Sequence, residues 1–272
     1  MQKLRRLLAD GLLMANRVLS SDWLSRRLRN GRSLVFAPHP DDEVLGCGGV
    51  IALKAQAGAR VKVVVMTDGR ASHRALIAEN ELVRIRRAEA QEAGRQLGAD
   101  VDYAFLDFED HRLARDCDAA CDQVVEIIEQ FDPDEIFLPH RRDGIIDHVE
   151  TNRIVRRAVD RVGRPVALLE YPVWLWNGWP WTVSGARRAS GKVRGALGTM
   201  RDVAEIVLAC RTRIDVGRMQ HRKLAALAAY RSQTQRLNEN PRWPVLSDVA
   251  GGEFLRRFES GIEIFRRTNY RP

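Results

Sequence analysis

From Arg32 onward, short apolar runs alternate with longer stretches of helical spacing, and this alternation restricts the chain to few folds. SLVFAP (33–38) reads as a buried strand, and the segment around GGVIALKAQAGA (48–59) as a helix ending at a glycine. VKVVVMT (61–67) is a second strand, closed by the turn signal Asp68-Gly69. A long charged helix is expected from about Ala75 to Leu97, stopping at Gly98. DYAFL (102–106), DEIFLP (134–139) and PVALLEYPV (165–173) read as further strands, with helices over 117–131 and 148–162. Beyond them, RTRIDV (211–216) has the pattern of a strand and residues 217–233 that of a helix. Strands alternating with helices form βαβ units, so the expected class is α/β, a mainly parallel sheet with helices on both faces.

The 272 residues suit one ordinary α/β domain with ample core. With 45% hydrophobic and 29% charged residues, a largely disordered chain is excluded. The net charge of +8 favours anionic surroundings, but the basic residues are dispersed and no recognition motif appears, so nucleic acid is not an expected partner. Four cysteines make no disulfide framework, and Cys117-x-x-x-Cys121 lacks the paired spacing of a structural zinc site. A reducing, cytoplasmic compartment is the expectation.

Two regions interrupt the rhythm. Residues 1–30 read as an amphipathic helical extension to a single domain over 31–272. Asp10 breaks the apolar run that a signal peptide would need, and no stretch approaches the roughly 20 apolar residues of a spanning helix. Leu4, Leu7, Leu8, Leu12 and Val18 recur at helical spacing opposite Arg5, Arg6 and Arg17. That pattern serves a helix packed on the domain through its leucines, or one lying on the inner face of a membrane. The second region, 172–202, holds Trp174, Trp176, Trp179 and Trp181, followed by Arg187, Arg188, Lys192 and Arg194. Trp174 and Trp176 alternate as in a strand, so an aromatic hairpin sealing the sheet is expected; a rim meeting sugar or lipid is the alternative.

In an open parallel sheet, ligands collect outside the carboxyl ends of the strands. At those ends stand His39, Asp41, Asp42 and Glu43 after the first strand, Asp68 and Arg70 after the second, and His140, running on to Asp147 and His148, after the fourth. Imidazole with carboxylate is a composition that suits zinc or another divalent transition ion. Spacing alone leaves open a hydrogen-bonded structural histidine, and acids at a helix start that merely complement its dipole. A dinucleotide site fails: Gly46-x-Gly48 follows a strand, but the third glycine position is Ile51, and the acidic block stands where pyrophosphate would bind.

Ala37-Pro38-His39-Pro40-Asp41-Asp42-Glu43 followed by GCGG resembles the signature of the LmbE-like, or PIG-L, zinc-dependent de-N-acetylases. The resemblance continues through Thr67-Asp68-Gly69, Arg86-x-x-Glu89, Asp147-His148 and Lys223-x-x-Ala226 with Ser232-Gln233. It implies a Rossmann-like fold and hydrolysis of an N-acetyl group from an N-acetylglucosamine-type sugar, a small or lipid-linked substrate. By position it makes His39, Asp42 and His148 the zinc ligands and Asp41 the general base. Asp147 would support an imidazole from behind, and Arg70 with Asp68 would face the substrate. Arg86 and Glu89, one helical turn apart, read as a structural pair. One position departs from the pattern: where many members carry a histidine, this chain has Ile145. His140 is the expected catalytic substitute. An amidase for larger acyl amides, or a carbohydrate-binding member with impaired catalysis, are the alternative functions.

Overall fold

In the computed structural model, residues 2–19, 21–22, 31–98, 101–182 and 196–272 are described. The chain runs α1 (Gln2–Leu19), β1 (Ser21–Asp22), β2 (Ser33–Ala37), α2 (Asp42–Gln56), β3 (Val61–Thr67), α3 (Glu79–Leu97) and β4 (Val101–Phe108). It continues with α4 (Cys117–Phe131), β5 (Glu135–Pro139), α5 (Ile146–Val162), β6 (Val166–Tyr171) and α6 (Ala196–Ala204). β7 (Thr212–Asp215), α7 (Gln220–Ala229), α8 (Arg231–Thr234) and β8 (Ile262–Tyr270) complete it.

The strands form one sheet in the order β1-β7-β8-β6-β5-β2-β3-β4. β4, β3, β2, β5 and β6 are mutually parallel, and β8 runs antiparallel to both β6 and β7. The alternation of side chains splits the core in two. Leu34 and Phe36 of β2, with Val64 and Met66 of β3, pack under α4 and α5 against Val124, Ile128 and Val155. Val35, Val63 and Val65 point the other way, toward Ile51 and Leu53 of α2 and Ala90 and Leu97 of α3. Helices therefore cover both faces, as the β/α alternation predicts.

α2 lies very close to the sheet. A Cβ on Gly46 would sit 2.2 Å from the ring of Tyr171, whose hydroxyl donates to the Phe36 carbonyl at 2.7 Å. Gly46 serves helix–sheet packing and not a phosphate.

β8 had no counterpart in the sequence reading. α2 begins at Asp42, so the acidic block is its first turn, the helix start expected for it. Two expectations are corrected. Trp174–Trp176 is a 3₁₀ turn and not a strand: Trp176 and Trp181 are buried edge to face at 5.2 Å, and Trp174 stacks on Phe254 at 4.8 Å. Arg187, Arg188, Lys192 and Arg194 lie outside the described residues. Finally, α1 packs on the domain with Arg5, Ala9 and Asn16 inward, while Leu4, Leu7, Leu8 and Val18 face out. Arg5 donates to the Pro180 carbonyl at 2.7 Å and pairs with Glu253 at 2.5 Å. Asn16 donates to the carbonyls of Ile206, Val207 and Cys210. These polar anchors, with Leu12 and Leu13 half-buried beside them, set the helix rotation. Among the described residues no helix is long and apolar enough to cross a membrane.

Candidate metal centre and its cavity

β2 and β5 are neighbours, yet β2 continues outward to β3 while β5 continues to β6 on the other side. This reversal opens a crevice at their carboxyl ends. The β2–α2 connection brings in His39, Asp41 and Asp42; the β5–α5 connection and the first turn of α5 bring in Asp143, Asp147 and His148.

Asp42 Oδ2 lies 3.2 Å from His39 Nδ1 and 3.2 Å from His148 Nε2, and the two rings are 5.4 Å apart. The backbone N–H of His39 donates to the same oxygen at 3.0 Å, fixing the carboxylate. His148 is fully buried, and its Nδ1 contacts Asp143 Oδ2 at 2.7 Å. Asp143 in turn accepts from the N–H groups of Val173 and Leu175, both at 2.9 Å. With Nδ1–H committed to Asp143, Nε2 is the atom whose lone pair an ion would take once its proton is displaced, and it has no hydrogen-bond partner in the crevice. A buried ring nitrogen backed by a carboxylate is the arrangement of a histidine ligand.

A second group meets at the other nitrogen of His39: Nε2 lies 3.1 Å from Asp110 Oδ1 and 3.3 Å from Asp147 Oδ2. Both His39–Asp42–His148 and His39–Asp110–Asp147 are close enough to share an ion. The first offers two imidazoles and one carboxylate, the donor set of catalytic zinc sites. It also leaves Asp110 and Asp147 to accept from His39 Nε2–H, as Asp143 does for His148. We therefore assign the first group as the candidate metal site. Asp147 stands behind His39; the partner of His148 is Asp143.

Electrostatics follow from this packing. Burial alone would raise Asp42, but His148 and His39 on one oxygen hold its carboxyl well below the usual carboxylate range. Burial would lower both imidazoles, yet Asp110 with Asp147 and Asp42 lifts His39 well above its ordinary value. Asp42 and Asp143 lift His148 to about 9. Without an ion the centre is held together by shared protons.

Asp41 is different. Its backbone has φ of 120°, a region that side chains other than glycine rarely occupy, at a cost of roughly 1–3 kcal/mol. Glu43 holds it there by accepting from the Asp41 N–H at 3.1 Å, while the Tyr103 and Tyr230 hydroxyls donate to the other Glu43 oxygen. The turn separates the two aspartates, with Asp42 on the imidazoles and Asp41 on Arg86 at 3.4 Å. Burial pushes the Asp41 carboxyl up to about 8, against Arg86 and with Asp42 and Glu43 adding to the rise. A carboxylate with that affinity for protons is suited to general-base work near neutrality.

The crevice opens into a cavity of about 240 Å³. Ile145, Trp174, Val245 and Leu246 supply apolar wall, while Ser72, His73, Arg86 and Gln233 supply polar groups. His73 stacks on Trp243 at 4.2 Å and contacts Ser72 Oγ and the Pro244 carbonyl, both at 2.8 Å.

Three expected residues stand outside this cavity. His140 is buried at the end of β5 with Nε2 facing Glu205 at 3.3 Å, and its Nδ1 accepts from the Arg142 N–H at 3.2 Å. Arg70 is committed to Asp68, at 2.7 Å from Nε and 2.5 Å from Nη2, so neither faces the cavity. Arg86 does so instead: it donates to the carbonyls of Pro40 and Gly69 and meets Asp41, while Glu89 accepts from Ser232 at 2.7 and 2.6 Å. Arg86 and Glu89 are therefore not a pair. Asp110 and His111 are the residues that sequence reasoning missed; Asp143 was in view at the fourth strand's end, but not as the partner of His148. Asp110 and His111 follow a strand end, a position shared with the expected ligands, and that was their only signal.

Residues 34–159 match the family model described as "PIG-L: GlcNAc-PI de-N-acetylase". The chain is 29% identical over 213 residues to the probable N-acetyl-alpha-D-glucosaminyl L-malate deacetylase 2 of Bacillus cereus, covering 76% of this chain and 86% of that protein. It is 28% identical to the 1D-myo-inositol 2-acetamido-2-deoxy-alpha-D-glucopyranoside deacetylase of Thermobispora bispora, covering 86% and 87%. The fold is similar to that of the N,N'-diacetylchitobiose deacetylase of Pyrococcus horikoshii, with TM-score 0.61, 19% identity and coverage of 88% and 84%. It is also similar to GalB, the 4-carboxy-2-hydroxymuconate hydratase of Pseudomonas putida, with TM-score 0.57, 16% identity and coverage of 89% and 97%. One fold thus carries more than one chemistry, and the residues of the site, not the fold, decide the reaction.

Proposed function

Because the chain belongs, through residues 34–159, to the PIG-L (LmbE-like) family, we propose that it is a zinc-dependent hydrolase removing the N-acetyl group of an N-acetylglucosamine-type sugar. The observation that carries this reading is the meeting of His39 Nδ1, His148 Nε2 and Asp42 Oδ2 beside a separately oriented Asp41. His39, Asp42 and His148 would hold the ion. When bound, zinc supplies Lewis-acid polarisation of the amide carbonyl and a water of lowered pKa.

The chain's own residues do the rest. Asp41 accepts a proton from the water whose oxygen adds to the acetyl carbon. The same carboxyl then gives that proton to the leaving nitrogen as the C–N bond breaks, yielding acetate and the free amine. Arg86 keeps the Asp41 carboxylate turned toward the cavity, and Glu43 keeps its backbone in place. The cavity is below the roughly 300–1,000 Å³ of drug-sized sites, which favours one acetylated sugar ring over a bulky acyl chain.

Elemental analysis of the wild type and of His148→Ala, with acetate release from N-acetylglucosamine conjugates and from larger acyl amides, tests the reading. About one zinc per chain, lost in the variant, with acetate released in preference to longer acids, is the expected result. Absence of metal after reconstitution with zinc would overturn it.

The outward face of α1 favours peripheral membrane contact. Leu4, Leu7 and Val18 are 73%, 61% and 79% exposed, with Lys3 and Arg6 on the same helix for anionic headgroups. Sedimentation with anionic vesicles that depends on residues 1–28 is expected; binding unaffected by their removal would dismiss it.

A further inference from the structure

A second cavity, of about 220 Å³, lies beneath α1 at the β7–β8 side of the sheet. Leu45 lines both cavities, but Leu45 and Gly46 apart, this one is built from residues outside 34–159. Its walls are apolar, with Leu13, Trp176 and Phe258 among them, and it gathers Arg213, Arg256 and Arg257.

These arginines differ from the ion-paired ones among the described residues. Arg5, Arg70, Arg86, Arg87, Arg156 and Arg266 each meet a carboxylate. No carboxylate among the described residues is ion-paired with Arg213, Arg256 or Arg257. The acid at this cavity, Glu263, is already neutralised: Lys223 meets it at 2.7 Å, and the N–H groups of Gly49 and Val50 donate to it at 2.8 and 2.9 Å. Arg257 gives one hydrogen bond to the Trp181 carbonyl at 2.9 Å, while its Nε is buried with no partner. Burial and the neighbouring Arg17 hold the Arg213 guanidinium below its ordinary value. Burial, helped by Arg5 and Arg6 against Asp10 and Glu253, does the same to Arg257. Asp215 acts on Arg213, and Asp10 and Glu253 on Arg257, only from beyond ion-pair distance, so no carboxylate among the described residues caps the three guanidinium groups.

Unpaired guanidinium groups beside apolar wall fit an anion carried on an apolar body, and their planar donors match phosphate oxygens. We propose that this cavity is a second ligand site, which binds the phosphate group of a phosphate ester through Arg213, Arg256 and Arg257. A lipid headgroup and a soluble ester share that chemistry.

Thermal unfolding of the full chain with inorganic pyrophosphate, and with phosphatidylglycerol against phosphatidylcholine vesicles, tests the site. Arg213→Gln and Arg256→Gln are the variants, because neither side chain carries an ion pair that folding needs. Saturating probe should raise the wild-type Tm by about 2–6 °C. Each variant should weaken binding about tenfold. Without probe, Arg213→Gln should unfold no earlier than wild type, since it removes a charge repelled by Arg17. Protection by pyrophosphate identifies a soluble ester, and protection by phosphatidylglycerol vesicles alone identifies a headgroup. No response to either probe overturns the site. A response undiminished in both variants also overturns it, because the anion then sits elsewhere, as on the metal centre.

Discussion

Asp143 Oδ2 lies 2.7 Å from His148 Nδ1, and the other Asp143 oxygen is held by two backbone N–H groups, so the carboxylate has no freedom to follow the imidazole. It sets the ring's tautomer as well as its direction. Asp143→Asn should therefore lower zinc affinity by about 10–100-fold while leaving all three ligands in place. Competition with a calibrated chelator measures this; unchanged affinity would show that Asp143 serves packing alone.

Asp41→Asn removes the proposed base and keeps the shape. Acetate release should fall by about 10²–10⁴-fold in kcat, with zinc content unchanged. A variant that loses metal along with turnover would place Asp41 among the ligands.

Zinc binding should release protons. In the metal-free chain His39 and His148 titrate above their ordinary value, His148 near 9, so at pH 7 both hold protons that an ion must displace. Affinity should rise as pH increases toward 9 and weaken below it, with about one to two protons released per ion near neutrality. Calorimetric titration in buffers of different ionisation enthalpy reads that number directly; zero release at pH 7 contradicts it.

His140 and Glu205 should matter to stability and little to turnover. The His140 ring, with Nε2 3.3 Å away, and Arg141 nearby hold the Glu205 carboxyl down at about 2, from an ordinary 4.5. A depressed carboxyl stabilises the folded chain above its unfolded value, and that contribution disappears as pH falls through the folded one. Between pH 5 and 3, wild-type Tm should fall more steeply than that of Glu205→Gln. His140→Ala should unfold earlier at pH 7, yet retain kcat within a few-fold; a large loss of kcat with zinc still bound would return His140 to the active site.

Gly46→Ala should cost about 1–3 kcal/mol, because the new methyl meets the Tyr171 ring and that ring is tied to the Phe36 carbonyl. Chemical denaturation measures the loss, and an unchanged midpoint would show that α2 can slide.

The parallel strands were legible because their buried runs are apolar on both faces, as in Leu34–Ala37 and Val63–Met66. β8 was not, since IEIFRRTNY interleaves charges whose partners are distant: Arg266 meets Glu170, and Glu263 meets Lys223. A charge that is neutralised across the fold looks solvated in one dimension. The same blindness reversed α1, where Arg5 reads as surface until Glu253 arrives beside it. In the candidate site, adjacency helped: Pro40, Asp41 and Asp42 crowd one turn and mark it as unusual. Asp143 stands in the run that ends at Asp147-His148, but nothing in that run told which imidazole it would back; Asp110 had no such neighbours, and a single acid in a loop carries no spacing by which to recognise it.

The split origin of the site at the β2–β5 junction has a mechanical side. His39 and Asp42 come from an early connection and His148 from a much later one, with the three helix–strand units α2–β3, α3–β4 and α4–β5 between them. An ion held by all three would act as a cross-link across the middle of the sheet, restricting the unfolded chain as a closed loop does and adding its binding free energy to folding. Catalytic readiness and resistance to unfolding would then share one dependence on free zinc, and starvation for the metal would expose the chain to proteolysis as well as silence it.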